Sequence, residues 1–372
     1  MLSISNNLTL FKNKSQFLQT PNSASAIFDG TNDYIDASTL GSSIDKESGT
    51  ISHWAKITAS SNNEVLFSCS DGTSGEDKVQ TVFMTSTSSG QFQAVYKAGG
   101  AAKKAVYNYP AVDIVNAGWF HLAMTYSKVE TIITIKLYFN GALQNTFTGE
   151  VDTIGEEIIF DRAILGKNAN ADNSYLTGSI DEFAYYARAL TADEILRIYN
   201  AKGTFNHVTQ TDVDVTLESL KQWLRFGDGA NDFASDQTAC IVDMNNNSLG
   251  GELVTSETGK NINTSGVYTD VNTNANTTTG DILQVTFTVT NSSGVITLFN
   301  YFGTSVIGSS TFTDGTHIQY LQITSSSSQT DLRFYSVSGR TGTLSNISIK
   351  KVNGNAAFAS GALINQDDNP TA

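Results

Sequence analysis

Short runs in which apolar and polar residues alternate dominate this chain. Ile133, Ile135, Leu137 and Phe139 alternate with Thr134, Lys136 and Tyr138, the period of two that marks a strand with one buried face. Asn140-Gly141 follows at once, a two-residue hairpin signal, and Ala142-Leu143 begins the return strand. The pattern predicts further strands over Thr50–Ile57, Val65–Cys69, Val79–Thr85, Gln91–Tyr96, Trp119–Tyr126, Ile158–Phe160 and Ala163–Gly166. Downstream, Leu283, Val285, Phe287 and Val289 alternate strictly with Gln284, Thr286, Thr288 and Thr290, and Ile318–Ile323, Leu332–Val337 and Leu344–Val352 read as strands too. Helical spacing is confined to two places. Thr191 with Glu194 forms a capping box, Leu190 and Ile195 are placed as a hydrophobic staple, and Ile195, Ile198 and Tyr199 share one face. Thr216–Phe226 puts Leu217, Leu220 and Leu224 on one face and predicts a second short helix.

Regularly spaced strands separated by Gly, Asn and Ser turns predict an all-β fold of two tandem β-sandwich (jelly-roll) domains, with one short helix closing the first. The expected organisation is an arm over 1–22, a first sandwich over 23–203, a linker with a short helix over 204–252, a second sandwich over 253–352 and a weakly ordered tail over 353–372. The arm is a candidate docking segment. No heptads and no fibre-like repeat are present.

Composition narrows the function classes. The 372 residues carry a formal charge of −14, which argues against binding nucleic acid through its phosphates. Only 16% of residues are charged, so polarity comes from Ser, Thr, Asn and Gly. No Lys or Arg occurs between Lys260 and Arg333, which gives the second sandwich a neutral, hydrogen-bonding surface. No apolar run of about 18 residues predicts a membrane span, and the first 20 residues lack the pattern of a secretory signal. The two cysteines, Cys69 and Cys240, are read as free thiols, and the four histidines have no zinc-ligand spacing.

Six segments in order carry a resemblance to laminin-G-like (concanavalin-A-like) domains: Phe28-Asp29-Gly30-Thr31-Asn32-Asp33-Tyr34, Thr50–Lys56 around Trp54, Trp119–Ala123, Leu137–Gly141, Ile164-Leu165-Gly166 and Tyr175–Asn200. In similar domains, oxygen ligands from the opening loop and from the closing strand hold a structural calcium ion. The resemblance therefore implies calcium at Asp29, Asn32, Asp33, Asp181 and Glu182. The competing reading is an Asx turn at Asp29-Gly30 with Glu182 paired to Arg188; a loop calcium near Asp71 or Asp77 is a further alternative.

Residues 253–352 resemble the carbohydrate-binding jelly rolls appended to glycosidases and phage tail proteins. The resemblance rests on Gly280-Asp281, Phe312–Gly315 and the closing strand Leu344–Lys350, where Ser345 replaces the family's acidic residue. It implies a sugar platform among Tyr301, Tyr320 and Tyr335. Catalysis is not expected. A glycosidase needs two carboxylates projecting across one cleft, whereas Glu156-Glu157 and Asp181-Glu182 are adjacent and would point to opposite faces of a strand. The whole is similar to bacteriophage decoration or tail adhesin proteins. That similarity implies a multi-copy, non-enzymatic protein assembled in the host cytoplasm onto the virion surface, with capsid or tail proteins and cell-surface glycans as partners. The alternatives are a cellular surface glycan-binding protein and a glycan-active hydrolase with a binding module.

Overall fold

In the computed structural model, the described residues are 24–59, 63–71, 77–86, 89–151, 160–205, 207, 219–226, 240–241, 249–252, 260–262, 269–272, 282–290, 292, 296–299, 304–307, 311–323, 331–336, 342–352, 357–360, 363–365 and 370. The arm over 1–22 lies outside them. Among the described residues, no helix is long and apolar enough to cross a membrane.

The first sandwich is built from β1 (Ser25–Asp29), β2 (Tyr34–Asp36), β3 (Ser48–Ile57), β4 (Glu64–Ser70), β5 (Lys78–Ser86), β6 (Ser89–Lys97), β7 (Lys103–Asn108), β8 (Phe120–Val129), β9 (Ile132–Phe139), β10 (Ala142–Glu150), β11 (Arg162–Leu165), β12 (Thr177–Tyr186) and β13 (Leu220–Leu224). One sheet runs β10-β9-β8-β3-β12-β1, with β13 also on β12; the other runs β7-β6-β5-β4-β11-β2. Phe120, Leu122, Met124 and Tyr126 of β8 point between the sheets and meet Phe67, Phe83 and Phe92 from the facing sheet in one continuous core. The alternate residues of β8, His121 and Ala123, face outward yet are also buried. They lie beneath a second apolar layer that includes Leu190, Ile195, Ile198, Phe205 and Trp223. This double covering explains why β3 is buried along nearly its whole length instead of alternating.

The closing helix spans Ala192–Asn200, with the expected capping box at Thr191: Glu194 N donates to Thr191 Oγ1 at 3.3 Å and Thr191 N donates to Glu194 Oε2 at 2.7 Å. The Asn140-Gly141 hairpin is also as expected. Both residues take positive φ, 50° and 75°, and Phe139 pairs with Ala142 across a two-residue turn. A Cβ on Gly141 would stand 2.8 Å from the Tyr199 ring, so this glycine lets the turn pack against the helix.

Two expectations are corrected. The described part of Thr216–Phe226, residues 219–226, is not a helix: Leu220–Leu224 is a strand antiparallel to Phe183–Tyr186 of β12. Leu220, Gln222, Trp223 and Leu224 are all buried, so the three-to-four spacing of leucines reflects a strand covered on both faces. The tail is not a loose end either. Ala357–Ser360 pairs with β2, and Leu363–Asn365 pairs with β1, adding one strand to the edge of each sheet. Cys240–Ile241 pairs in turn with Ala357–Ser360.

The second sandwich is therefore inserted into the first, and the chain leaves and re-enters the first sandwich around it. One of its sheets orders Leu249–Glu252, Gly342–Val352, Ile282–Thr290, Gly315–Ile323 and Thr304–Ile307, with Lys260–Ile262 also on Gly342–Val352. The other orders Thr269–Asn272, Asp331–Ser336, Ile296–Phe299 and Thr311–Phe312. Leu283, Val285, Phe287 and Val289 are buried, as their alternation predicts. On the neighbouring strand Leu344, Ile347 and Ile349 are buried, a spacing of three then two that requires a bulge. Asn346 supplies it with φ 52°, and the register shifts opposite Thr286 and Thr288.

Candidate functional site: the loop face of the first sandwich

The loop face begins where β1 ends. Asp29 Oδ1 accepts the backbone N–H groups of Thr31 at 2.7 Å and of Asn32 at 3.4 Å, an Asx turn. Asp33 Oδ2 accepts from Asp29 N at 2.9 Å, which folds the loop back on itself. Burial holds the Asp33 carboxyl above its ordinary pKa; the backbone hydrogen bond opposes this and the charge of Asp29 adds to it. Gly30 has φ 80° and closes on β12, where an added Cβ would stand 2.1 Å from Thr177 Oγ1.

A second loop, residues 166–176, descends from β11 beside it. Gly166 has φ 88°, and a Cβ there would strike the Phe28 ring at 2.5 Å. Leu176 N donates to Gly166 O at 2.8 Å and Asn168 N to Asn173 O at 3.3 Å, so the loop is closed at its neck and braced within. At its centre lies Lys167. Its Nζ bonds Asp172 Oδ1 and stands 4.3 Å from the centroid of the Tyr34 ring and 5.6 Å from that of Tyr175. The Lys167 side chain is 3% exposed and that of Asp172 is 83% exposed. The ammonium is therefore an internal cation, and the outer face of its partner is left in solvent. The hydrogen bond from Lys167 holds the Asp172 carboxyl below its usual pKa, and the charges of Lys167 and Arg162 act in the same direction. Asn168 Oδ1 and Asn170 Oδ1 are buried in the same loop without a hydrogen-bond partner.

Glu64 supports this loop from β4. Its Oε2 accepts Thr177 N at 2.8 Å, and Val65 N donates to Ser174 O at 3.2 Å. Burial pushes the Glu64 carboxyl up to about 7, against the backbone hydrogen bond that lowers it.

The five residues expected around calcium do not form one site. Asp29 pairs with Thr177 at one end of the β1–β12 ladder, and Asp181 lies four residues further along β12. At about 3.3 Å per residue that is roughly 13 Å, too far for one coordination shell. Asp29, Asn32 and Asp33 stay together in the opening loop. Asp181 and Glu182 sit instead at a bulge in β12, where the register with β3 shifts between Asp181 and Ala184 and Glu182 takes φ 48°. Both are buried. Asp181 Oδ1 accepts Glu182 N at 2.8 Å. Glu182 Oε2 accepts the indole N–H of Trp223, Oε1 lies 3.6 Å from Arg225 Nε, and the Arg225 guanidinium stands 5.2 Å from the Trp223 ring centroid. The partner expected for Glu182, Arg188, pairs with Glu194 on the closing helix. Among the described residues no group of three or more His, Cys, Asp or Glu side chains is arranged to hold a metal. Asp71 and Asp77 are both buried, and Asp77 Oδ1 accepts Gly99 N at 3.1 Å.

Of the three candidate platform tyrosines, two lie on described strands. Tyr301 lies outside the described residues. Tyr320 pairs with Gln284 in one sheet of the second sandwich, and Tyr335 pairs with Thr297 in the other. The residues that do converge are Tyr34, Lys167, Asp172 and Tyr175. Tyr34 and Tyr175 stand in the opening and closing motifs of the sequence. Lys167 has no sequence signal beyond its place in a polar loop after Ile164-Leu165-Gly166.

This architecture has a counterpart among known families. Residues 29–196 match the concanavalin A-like lectin/glucanases superfamily. The first sandwich thus has a concanavalin A-like lectin fold, and the segments that resemble laminin-G-like domains form strands, the opening loop and the closing helix of it. No curated protein matches the chain. Among solved structures, the CBM40 of Ruminococcus gnavus IT-sialidase bound to alpha2,3 sialyllactose is similar at 21% identity and TM-score 0.38, over 47% of this chain and 96% of that one. A heptameric SAP-like pentraxin from Limulus polyphemus is similar at 14% identity and TM-score 0.36, over 48% and 82% of the two chains. A putative carbohydrate binding protein from Bacteroides ovatus is similar at 14% identity and TM-score 0.37, over 61% and 56%.

Proposed function

We propose that this protein is a non-catalytic glycan-binding display protein carried on the surface of a bacteriophage particle, and that the loop face of the first sandwich is its binding site. The observation that carries the binding reading is the convergence of two half-buried tyrosines, Tyr34 and Tyr175, with the solvent-facing carboxylate of Asp172. Sugars are recognised by an apolar ring face against their C–H surface and by fixed polar groups for their hydroxyls. Lys167 locks both rings and the carboxylate in place before a ligand arrives, which lowers the ordering cost of binding. The non-catalytic reading is supported at the bulge. Asp181 and Glu182 are buried, and Glu182 is held by Trp223 and Arg225, so neither faces a cleft where a glycosidic bond could lie.

The virion reading is supported by an acidic chain whose polarity comes from neutral hydrogen-bonding residues and which joins two sandwiches in one unit. A single face of this kind gives weak affinity, and many copies on one particle convert weak contacts into avidity. Two measurements test the proposal. A glycan array probed with the full chain and with Tyr34→Ala should show binding that the substitution lowers at least tenfold; equal binding by both proteins removes the loop face as the site. Mass spectrometry of purified phage particles from the source of this sequence should find the chain in many copies, and its absence from particles refutes the virion placement.

A further inference from the structure

We infer that the loop face selects uncharged glycans and rejects sialylated and other anionic ones, an inference that rests on the glycan-binding reading of that face. Its exposed polar chemistry is rich in acceptors. Asp29 and Asp172 are exposed carboxylates. Such a surface is satisfied by ligands that bring donors, and the hydroxyl groups of a neutral sugar bring many. A hydroxyl donating to a carboxylate is also among the stronger hydrogen bonds available.

A sugar carboxylate brings more acceptors and a negative charge. To bind it the face would need an exposed cation with free donors, normally an arginine fork. Lys167 cannot serve, because its ammonium is buried, paired with Asp172 and flanked by the rings of Tyr34 and Tyr175. Among the described residues, the other cation whose field reaches Asp172 is Arg162, at the start of β11, where it is half-buried. Against these two stand Asp29, Asp33 and Asp172, on a chain whose formal charge is −14. An anionic ligand therefore meets like charge both at contact and on approach, and the approach component is screened by salt.

The test uses the full-length protein and matched pairs of immobilised oligosaccharides. Each pair is an uncharged galactose- or N-acetylhexosamine-terminated glycan and the same glycan capped with sialic acid. At physiological ionic strength the uncharged member should bind at least tenfold more tightly, and raising the salt to 1 M should narrow the gap. Asp172→Asn, which removes a charge and keeps the shape, should raise the relative binding of the sialylated member. Equal or tighter binding of sialylated glycans by the native protein overturns the selectivity and leaves the glycan-binding reading standing. No binding to either member overturns both. Arg162→Gln serves as a control: if native sialylated binding is present and this substitution abolishes it, Arg162 is the anionic anchor and the inference is wrong.

Discussion

The loop face and the β12 bulge are built from the same parts. Each sets a carboxylate against a cation and an aromatic ring: Asp172, Lys167 and Tyr34 in one, Glu182, Arg225 and Trp223 in the other. They differ in which partner is buried. At the bulge all three are enclosed, every charge is spent on the protein itself, and the result joins β12 to β13. At the loop face the cation is enclosed and its carboxylate is open, so the rings and an acceptor surface are held rigid while still facing water. Residue type does not separate the structural cluster from the proposed recognition site here; the direction of exposure does.

Acidification should strain this difference most. His207 packs against Trp223, His121 lies beneath the helix between Trp54 and Tyr199, and His53 bonds Thr81 between the sheets. Burial depresses all three imidazoles to about 3. Below their ordinary pKa of about 6.5, the unfolded chain takes up protons that the folded protein refuses, so stability falls as the pH drops. Glu64 works in the opposite direction. Its raised pKa means that the folded protein holds a proton the unfolded chain has released, a contribution fully present below about 4.5 and lost as the pH rises through 7. Three protons against one leave a net loss on the order of 5 kcal/mol between pH 6.5 and 4.5. Urea midpoints followed by Trp fluorescence across that range should fall steeply, and a flat profile would show that the histidines are not held neutral.

Next in size is the buried pair. Glu182→Ala leaves Arg225 enclosed without its carboxylate and should cost about 3–5 kcal/mol, and adding Arg225→Met should recover much of that. Chemical denaturation of the two variants checks it. A single substitution that costs nothing would mean that the bulge is as open as the loop face, and the comparison would fail. Thr191→Ala removes the capping side chain over the outer layer and should cost about 1 kcal/mol in the same experiment. Smallest is Asp172→Asn at the open site, where the amide oxygen still accepts from Lys167 and water reaches the partner side: the denaturation midpoint should fall by less than in Glu182→Ala, while glycan preference changes. A large loss of stability there would make the loop face a second structural cluster.

What could be read from sequence was local. The capping box of Thr191 and Glu194, the Asn140-Gly141 turn and the alternation over Leu283–Val289 each depend on neighbours a few residues away, and each stands where its pattern predicts. The misread elements depend on distant partners. Leu220 and Leu224 kept helical spacing because β12 and the outer layer bury a strand on both faces. Ala357–Ser360 and Leu363–Asn365 are too short to show any period, and only their pairing with β2 and β1 makes them strands. At the site, Tyr34 and Tyr175 were visible as motif residues. Lys167 was not, because a lysine in a polar loop reads as solvated until two rings from other segments enclose it. The carboxylates of Asp181 and Glu182 stand out in the sequence for their chemistry, but the bulge that turns them inward is set by register.

The insertion of one sandwich into the other makes the chain a clasp. On one side the second sandwich hangs from β13; on the other it returns through Ala357–Ser360 and Leu363–Asn365, which lie in different sheets of the first. A single proteolytic cut inside the inserted unit would leave two fragments still zipped together by these strands and by the pairing of Cys240–Ile241 with Ala357–Ser360. A pull on the second sandwich would likewise be shared between two anchorages instead of one linker.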